Sequence, residues 1–332
     1  MAGRCRARNG KLLWMITARS SGFVPTPARQ PLPRALLAPR WWPAWLALGC
    51  ARLLCALPIR WQQALGAALG RLFGRAARGR RRIVRVNLEL CFPELDAMAI
   101  EALASAHFEA LGMGLFEALQ CWFAPDDRLQ PFVEVFGIEH LDKAQTDGHG
   151  VLLLTGHFTT LEIAARLLCM TARPFHAMYR PADNPFADWL MRRMREKRSG
   201  LVALPKDDLR ALIRALRVGG AIWYAPDQTL EVPGAAFVPF FGVPALTLTA
   251  TSRLAQMGRA RVVPFFPERR NGQYRITIQP PLENFPSGDD VADAARINGL
   301  LEDAIRRCPE QYFWIHRRFK HRPPGAPDVY AQ

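Results

Sequence analysis

The sequence predicts an α/β protein, with a mixed, mostly parallel sheet covered by helices and an N-terminal membrane-anchor helix before it. Three observations predict this. From about residue 136 onward, short apolar runs alternate with helical patterns, as in a sheet covered on both faces. Residues 41–59 hold the one long apolar run. An arginine-rich stretch and a long helical pattern lie between the two. The chain divides accordingly into a disordered basic leader (1–34), a membrane anchor (35–60), a basic linker and helical region (61–135), and an α/β domain (136–332) that carries the candidate site.

Each element has its reason. "WWPAWLALGCARLLCALPI" (41–59) is about long enough to span a bilayer, though Arg52 interrupts it and Pro43 and Pro58 flank it. Its opening tryptophans suit an interface, so it reads as a signal-anchor or interfacial helix. A buried core helix is the bland alternative. The arginines of "RLFGRAARGRRRIVRVN" that follow suit anionic headgroups on a cytoplasmic face, or else form a solvated basic linker. Residues 97–123 are helical in pattern and end before Pro125. Strands follow at 151–154, 175–180, 201–204 and 221–226, with helices from Thr159, around 184–197 and at 207–217. A Gly/Pro-rich loop leads to a helix around 246–257, two more strands ("RVVPFF", "YRITIQ") and a last helix at 289–306.

The net charge of +15 is an N-terminal property: about seventeen of the 44 basic residues precede the first acidic one, Glu89. The remainder is close to neutral, which argues against a fold-wide nucleic-acid surface. Seven cysteines, odd in number and without a C-x-x-C pair, suggest neither a disulfide framework nor a zinc site and fit a reducing cytoplasm.

The chemistry concentrates in "VLLLTGHFTTLEIAARLL" (151–168). Thr159 and Glu162 have the T-x-x-E form of a capping box, which would make Glu162 a helix cap and His157 a turn residue. Alternatively, with His157 on the turn and Glu162 on the first helical turn, the carboxylate can reach back to the imidazole, fix its tautomer and stabilise its protonated form. His157, Arg180 and Asp227 each follow a strand directly, so they should share the rim where such sheets bind ligands. No G-x-S-x-G, P-loop, G-x-G-x-x-G or H-E-x-x-H occurs. What remains is a metal-free histidine–acid pair without a nearby nucleophile, suited to a general base that activates an acceptor hydroxyl.

Seven blocks in order, "LLAPRWWPAWLALG", "VRVNLELCFPEL", "GHFTTLE", "YRPADNPFADWL", "WYAPDQ", "FVPFFGVPA" and "QYFWIHRRFKHRP", resemble the late acyltransferases of lipid A biosynthesis, the lauroyltransferase type in particular. The likeness runs from about residue 35 to the C-terminus and extends to the wider glycerolipid acyltransferases with a His-x4-acid motif. It implies an enzyme of the inner membrane with its catalytic domain on the cytoplasmic face. Such an enzyme moves a fatty acyl group from acyl carrier protein to the hydroxyl of a 3-hydroxyacyl chain on Kdo-bearing lipid IVA, without metal or redox cofactor. By position, His157 would be the general base and Glu162 its orienting acid, with Arg195 and Asp227 as further charged positions the family needs. Phosphates and carboxylates on the acceptor make Arg180, Arg195, Arg317 and Arg318 candidate ligands. For the last two, a solvated basic end is the equal alternative. The competing functional readings are a catalytically silent membrane-bound lipid- or carrier-binding protein, and a thioesterase using His-activated water.

Overall fold

Every residue of Gly150–Leu154 is buried, and its alternating side chains enter two different cores. Val151 and Leu153 pack with Ile163 and Leu167, while Leu152 and Leu154 pack with Leu212, Leu301 and Ile305. A strand covered on both faces needs apolar residues at successive positions, which is why it reads as an unbroken hydrophobic run.

The computed structural model describes residues 32–331 apart from Asp147 and Ala172; most of the expected 1–34 leader lies outside them. In chain order the longer elements are α1 (Trp42–Leu54), α2 (Ile59–Ala76), α3 (Arg78–Cys91), α4 (Ala97–Phe123), α5 (Asp126–Leu129), β1 (Val133–Phe136), α6 (Ile138–Thr146), β2 (Gly150–Leu154) and α7 (Leu161–Met170). There follow β3 (His176–Tyr179), α8 (Pro185–Ser199), β4 (Leu204–Pro205), α9 (Leu209–Arg217), β5 (Ala221–Tyr224), β6 (Ala235–Phe240), β7 (Val243–Leu248), α10 (Ala250–Gly258), β8 (Ala260–Arg270), β9 (Gln273–Ile278) and α11 (Asp290–Arg307). Seven strands form one sheet in the order β1-β9-β8-β2-β5-β3-β4. β8, β2, β5, β3 and β4 run parallel; β9 is antiparallel to β8, and β1 runs with β9. The mixed, mostly parallel sheet expected from the sequence is present, flanked by helices.

Three expectations change. The helix expected around 246–257 is split: Val243–Leu248 is a strand paired with β6, and the helix begins at Ala250. The basic linker is folded as helices. Ile83, Val84 and Leu88 of α3 enter the core, while Arg81 and Arg85 pair with Glu101 of α4. The third change concerns the anchor. α1 has 13 residues, roughly 20 Å at about 1.5 Å per residue, against a hydrocarbon layer of about 30 Å. Among the described residues no helix is long and apolar enough to cross a membrane.

The break after α1 is built in. Arg128 donates to the carbonyls of Cys55 and Leu57, and Gln62 Nε2 donates to that of Leu57, so the turn before Pro58 has its polar groups satisfied. On its other side, the α1 region docks on α8. Trp45 packs edge-on against Phe186 and Trp189, with ring centroids 4.9 and 5.6 Å apart. Leu46 and Leu53 of α1 remain exposed, as do Trp61, Leu65, Leu69 and Leu72 of α2.

α2 lies unusually close to α4 because glycines face each other. A Cβ on Gly70 would collide with the Phe108 carbonyl oxygen, and one on Gly112 with that of Gly66. Only glycine permits backbones to approach this far.

Candidate active site

The register of the sheet brings the site together. Leu154 of β2 is paired with Tyr224 of β5, so the residues three places beyond each strand end, His157 and Asp227, arrive side by side. The Asp227 carboxylate takes two hydrogen bonds from His157, from the backbone N–H to Oδ2 (2.7 Å) and from Nδ1 to Oδ1 (2.5 Å). Gly156 leaves room for this, because a Cβ there would stand 2.9 Å from Leu301 Cδ2 and 3.3 Å from Asp227 Oδ2.

Asp227 is buried, and burial by itself would raise its pKa; the charge and hydrogen bonds of His157, with a further bond from Tyr312, instead hold it at about 2. For His157, burial by itself would lower the pKa, but the neighbouring carboxylate outweighs it and raises the value above 6.5. With Nδ1 held by Asp227, Nε2 is the nitrogen available to a substrate.

Glu162 does something else. Its Oε1 accepts from Arg195 Nε (3.0 Å), and its Oε2 lies 3.3 Å from Arg198 Nη2. Both arginines project from α8 three positions apart, hence from one helix face. Arg198 is almost fully buried and also donates to the backbone carbonyl of Glu162 (3.0 Å). Burial would raise the glutamate's pKa, but the two guanidinium groups hold it down at about 2. The acid at the imidazole is therefore Asp227, and Glu162 is the counter-ion of an arginine pair. The capping box is also absent: the N-cap of α7 is Thr160, which makes no side-chain cap bond, and Thr159 Oγ1 is buried without a partner among the described residues.

The remaining candidates separate. Arg180 stands at the carboxyl end of β3 with an exposed side chain, 3.9 Å from Asp183, and lines the same cavity as His157. Arg317 is exposed beside the Tyr330 ring. Arg318 is buried and spends its guanidinium on Thr229 Oγ1 (2.9 Å), the Leu246 carbonyl (2.7 Å) and Thr247 Oγ1 (2.8 Å). It braces the loop after Asp227 and is not placed to receive a substrate phosphate.

The sequence marked the C-terminal strap around Gln311–Arg318 only by its resemblance and its arginines, not by the bonds it makes to the site. Phe313 N–H donates to the His157 carbonyl (2.9 Å), Thr159 N–H to that of Gln311 (2.7 Å), and Thr229 N–H to His316 Nε2 (3.2 Å). The strap thus holds both catalytic-loop candidates at once. Burial lowers the His316 pKa to about 4, which keeps Nε2 an acceptor at neutral pH. Arg198 was also missed, although its spacing from Arg195 was legible.

His157 and Glu162 line a cavity of about 610 Å³ that runs under the rim between Phe175, Trp223, Leu212 and Leu254. Arg180, Lys206 and Arg253 also line it. Its size lies within the range for small-molecule sites. Among the described residues no cluster of metal-ligating side chains occurs.

Comparison with known proteins gives the family. Residues 30–321 match the model of the bacterial lipid A biosynthesis acyltransferase family. The chain is 42% identical over 301 residues to the lipid A biosynthesis lauroyltransferase of Escherichia coli (strain K12), covering 89% of this chain and 97% of that one. It is 37% identical to the palmitoleoyltransferase of the same strain, over 90% and 97% of the two chains. The myristoyltransferase of that strain is 31% identical over 89% and 92%.

Proposed function

Because the chain belongs to the bacterial lipid A biosynthesis acyltransferases and is thus an enzyme that acylates lipid A, we propose that it moves a fatty acyl group from acyl carrier protein to the hydroxyl of a 3-hydroxyacyl chain on Kdo-bearing lipid IVA. The observation that carries this is the His157–Asp227 pair beside a large apolar cavity. His157 Nε2 takes the proton as the acceptor oxygen attacks the thioester carbonyl. Asp227, ionised and buried, stabilises the imidazolium that forms. The tetrahedral intermediate collapses with loss of the carrier thiolate, which recovers the proton from Nε2.

Arg195 lines the cavity while its Nε and Nη2 face Glu162. Glu162 therefore holds a cation in place for the oxyanion or for a substrate phosphate. Arg180, at the mouth, serves the anionic headgroup of the acceptor. The thioester is already activated, so no metal or redox cofactor is required.

The exposed apolar residues of α1 and α2, with Arg60, Arg71 and Arg75 among them, support attachment to the inner membrane by helices lying in the interface, with the catalytic domain on the cytoplasmic face. The decisive assay incubates the full-length protein with acyl carrier thioester, with and without lipid IVA. The proposal requires one added acyl ester by mass spectrometry and thiol release that depends on the acceptor. Equal thiol release without acceptor would make the protein a thioesterase.

A further inference from the structure

A second cavity, of about 600 Å³, reaches His157 and Glu162 from the side of α2 and α4. Its walls are Leu69 and Phe73 of α2, Leu111 and Leu115 of α4, and Phe158 and Phe313. Gly70 and Gly112, where the two helix backbones meet, also line it. Apart from Thr159 and the His157–Glu162 end its lining is apolar, and among the described residues no arginine or lysine lines it. Two of its walls, Leu69 and Phe73, belong to the helix that also exposes Leu65 and Leu72, so the groove is continuous with an apolar surface outside. Its size and composition fall within the range of ligand sites.

We infer that this groove holds the hydroxyacyl chain of the lipid acceptor. The inference rests on the acyl-transfer reading above and adds to it where the acceptor lies. The occupant must be apolar along its length and carry one polar group at the inner end, where His157 stands. A 3-hydroxyacyl chain has that distribution. The occupant must also arrive over an apolar surface, and that suits a molecule resident in the bilayer. A thioester delivered by a water-soluble carrier needs no such path. The first cavity, with Arg180, Lys206 and Arg253 in its lining, is left for the donor chain, and the two chains meet at the imidazole from opposite sides.

Leu115→Trp and Leu69→Trp, at positions 60% and 45% exposed, fill the groove without entering the core. Met98→Trp, 79% exposed on the same helix as Leu115, is the control. Displacing about two methylenes' worth of contact weakens acceptor binding roughly tenfold. The groove variants should raise KM for lipid IVA by about that factor while KM for the acyl carrier thioester and the donor-chain preference stay unchanged. An N-(3-hydroxyacyl)glucosamine phosphate carrying a diazirine at the chain end should label peptides containing Leu69–Phe73 and Leu111–Leu115, a readout independent of turnover. A rise in donor KM, or a changed donor preference with acceptor KM intact, would place the donor there and overturn the inference. So would unchanged kinetics with label elsewhere. If wild-type protein modifies no lipid A precursor although the label falls in the groove, the functional reading fails and the chain-binding groove stands.

Discussion

His157 Nδ1 lies 2.5 Å from an oxygen of Asp227, 70 positions along the chain, while the glutamate five positions from His157 binds two arginines instead. Sequence proximity and contact part company because β2 and β5 are neighbours in the sheet. The loop after β2 meets the loop after β5 before the chain has completed the first turn of α7.

His157→Ala should leave the protein folded and lower kcat by roughly 10²- to 10⁴-fold, the range for loss of a general base. Circular dichroism and transfer of labelled acyl groups to lipid IVA check both halves. Retention of more than a tenth of the activity would move the base elsewhere.

Asp227→Asn should shift the pH profile. In the wild type the carboxylate raises the imidazole pKa above 6.5, so the acidic limb of kcat/KM lies above that value. Without the charge, burial dominates and the limb should move to lower pH, alongside a large fall in maximal rate. In stability terms the raised histidine contributes below pH 6.5 and loses that contribution as pH rises through its folded value. Asp227 contributes above the ordinary aspartate value of 3.8 and loses that contribution as pH falls towards about 2. A limb that stays in place would assign the titration to another group.

Glu162→Ala should destabilise the fold by about 3 kcal/mol, because Arg198 is left charged and buried without its counter-ion. A lost helix cap would cost only about 1 kcal/mol. Urea unfolding of wild type and variant separates the two. A loss near the smaller figure would show that Arg198 does not depend on Glu162 as its counter-ion.

Leu46→Ala and Leu53→Ala, both on the exposed face of α1, should each weaken binding to anionic vesicles about tenfold or more, since a buried leucine contributes about 1.5–3 kcal/mol. Their unfolding midpoints should not move. Flotation at low and high salt separates the apolar part of the attachment from the arginine part. Unchanged binding by the double variant would place the attachment on another surface.

The parts of the fold legible in the sequence were those with strong local signals. β2 and β5 are continuous apolar runs, the end of α4 is marked by Pro125, and His157, Arg180 and Asp227 each stand just past a strand. The β6–β7 hairpin was not legible, because its turn places Phe241 as well as Gly242 at positive φ (51° and 75°). A phenylalanine there carries no turn signal; its ring is held instead by Phe92 and Trp314. The end of α1 was not legible for a similar reason. The apolar run continues past α1 into the turn after it, whereas the Arg128 side chain that stabilises the turn comes from 73 residues away. At the site, the residue types were legible and their partners were not. Pairing depended on strand order, which no local pattern encodes.

The glycine contact between α2 and α4 has a mechanical meaning for whatever lies in the groove beside it. A wall made of side chains can be widened by a change of rotamer. A floor where one helix backbone rests on another cannot, because the two main chains are already touching at Gly66, Gly70 and Gly112. The trough therefore has a gauge set by the polypeptide itself. Substitutions around its edge change how deep a guest can sit, but a second alkyl chain could be admitted beside the first only by prising the helices apart.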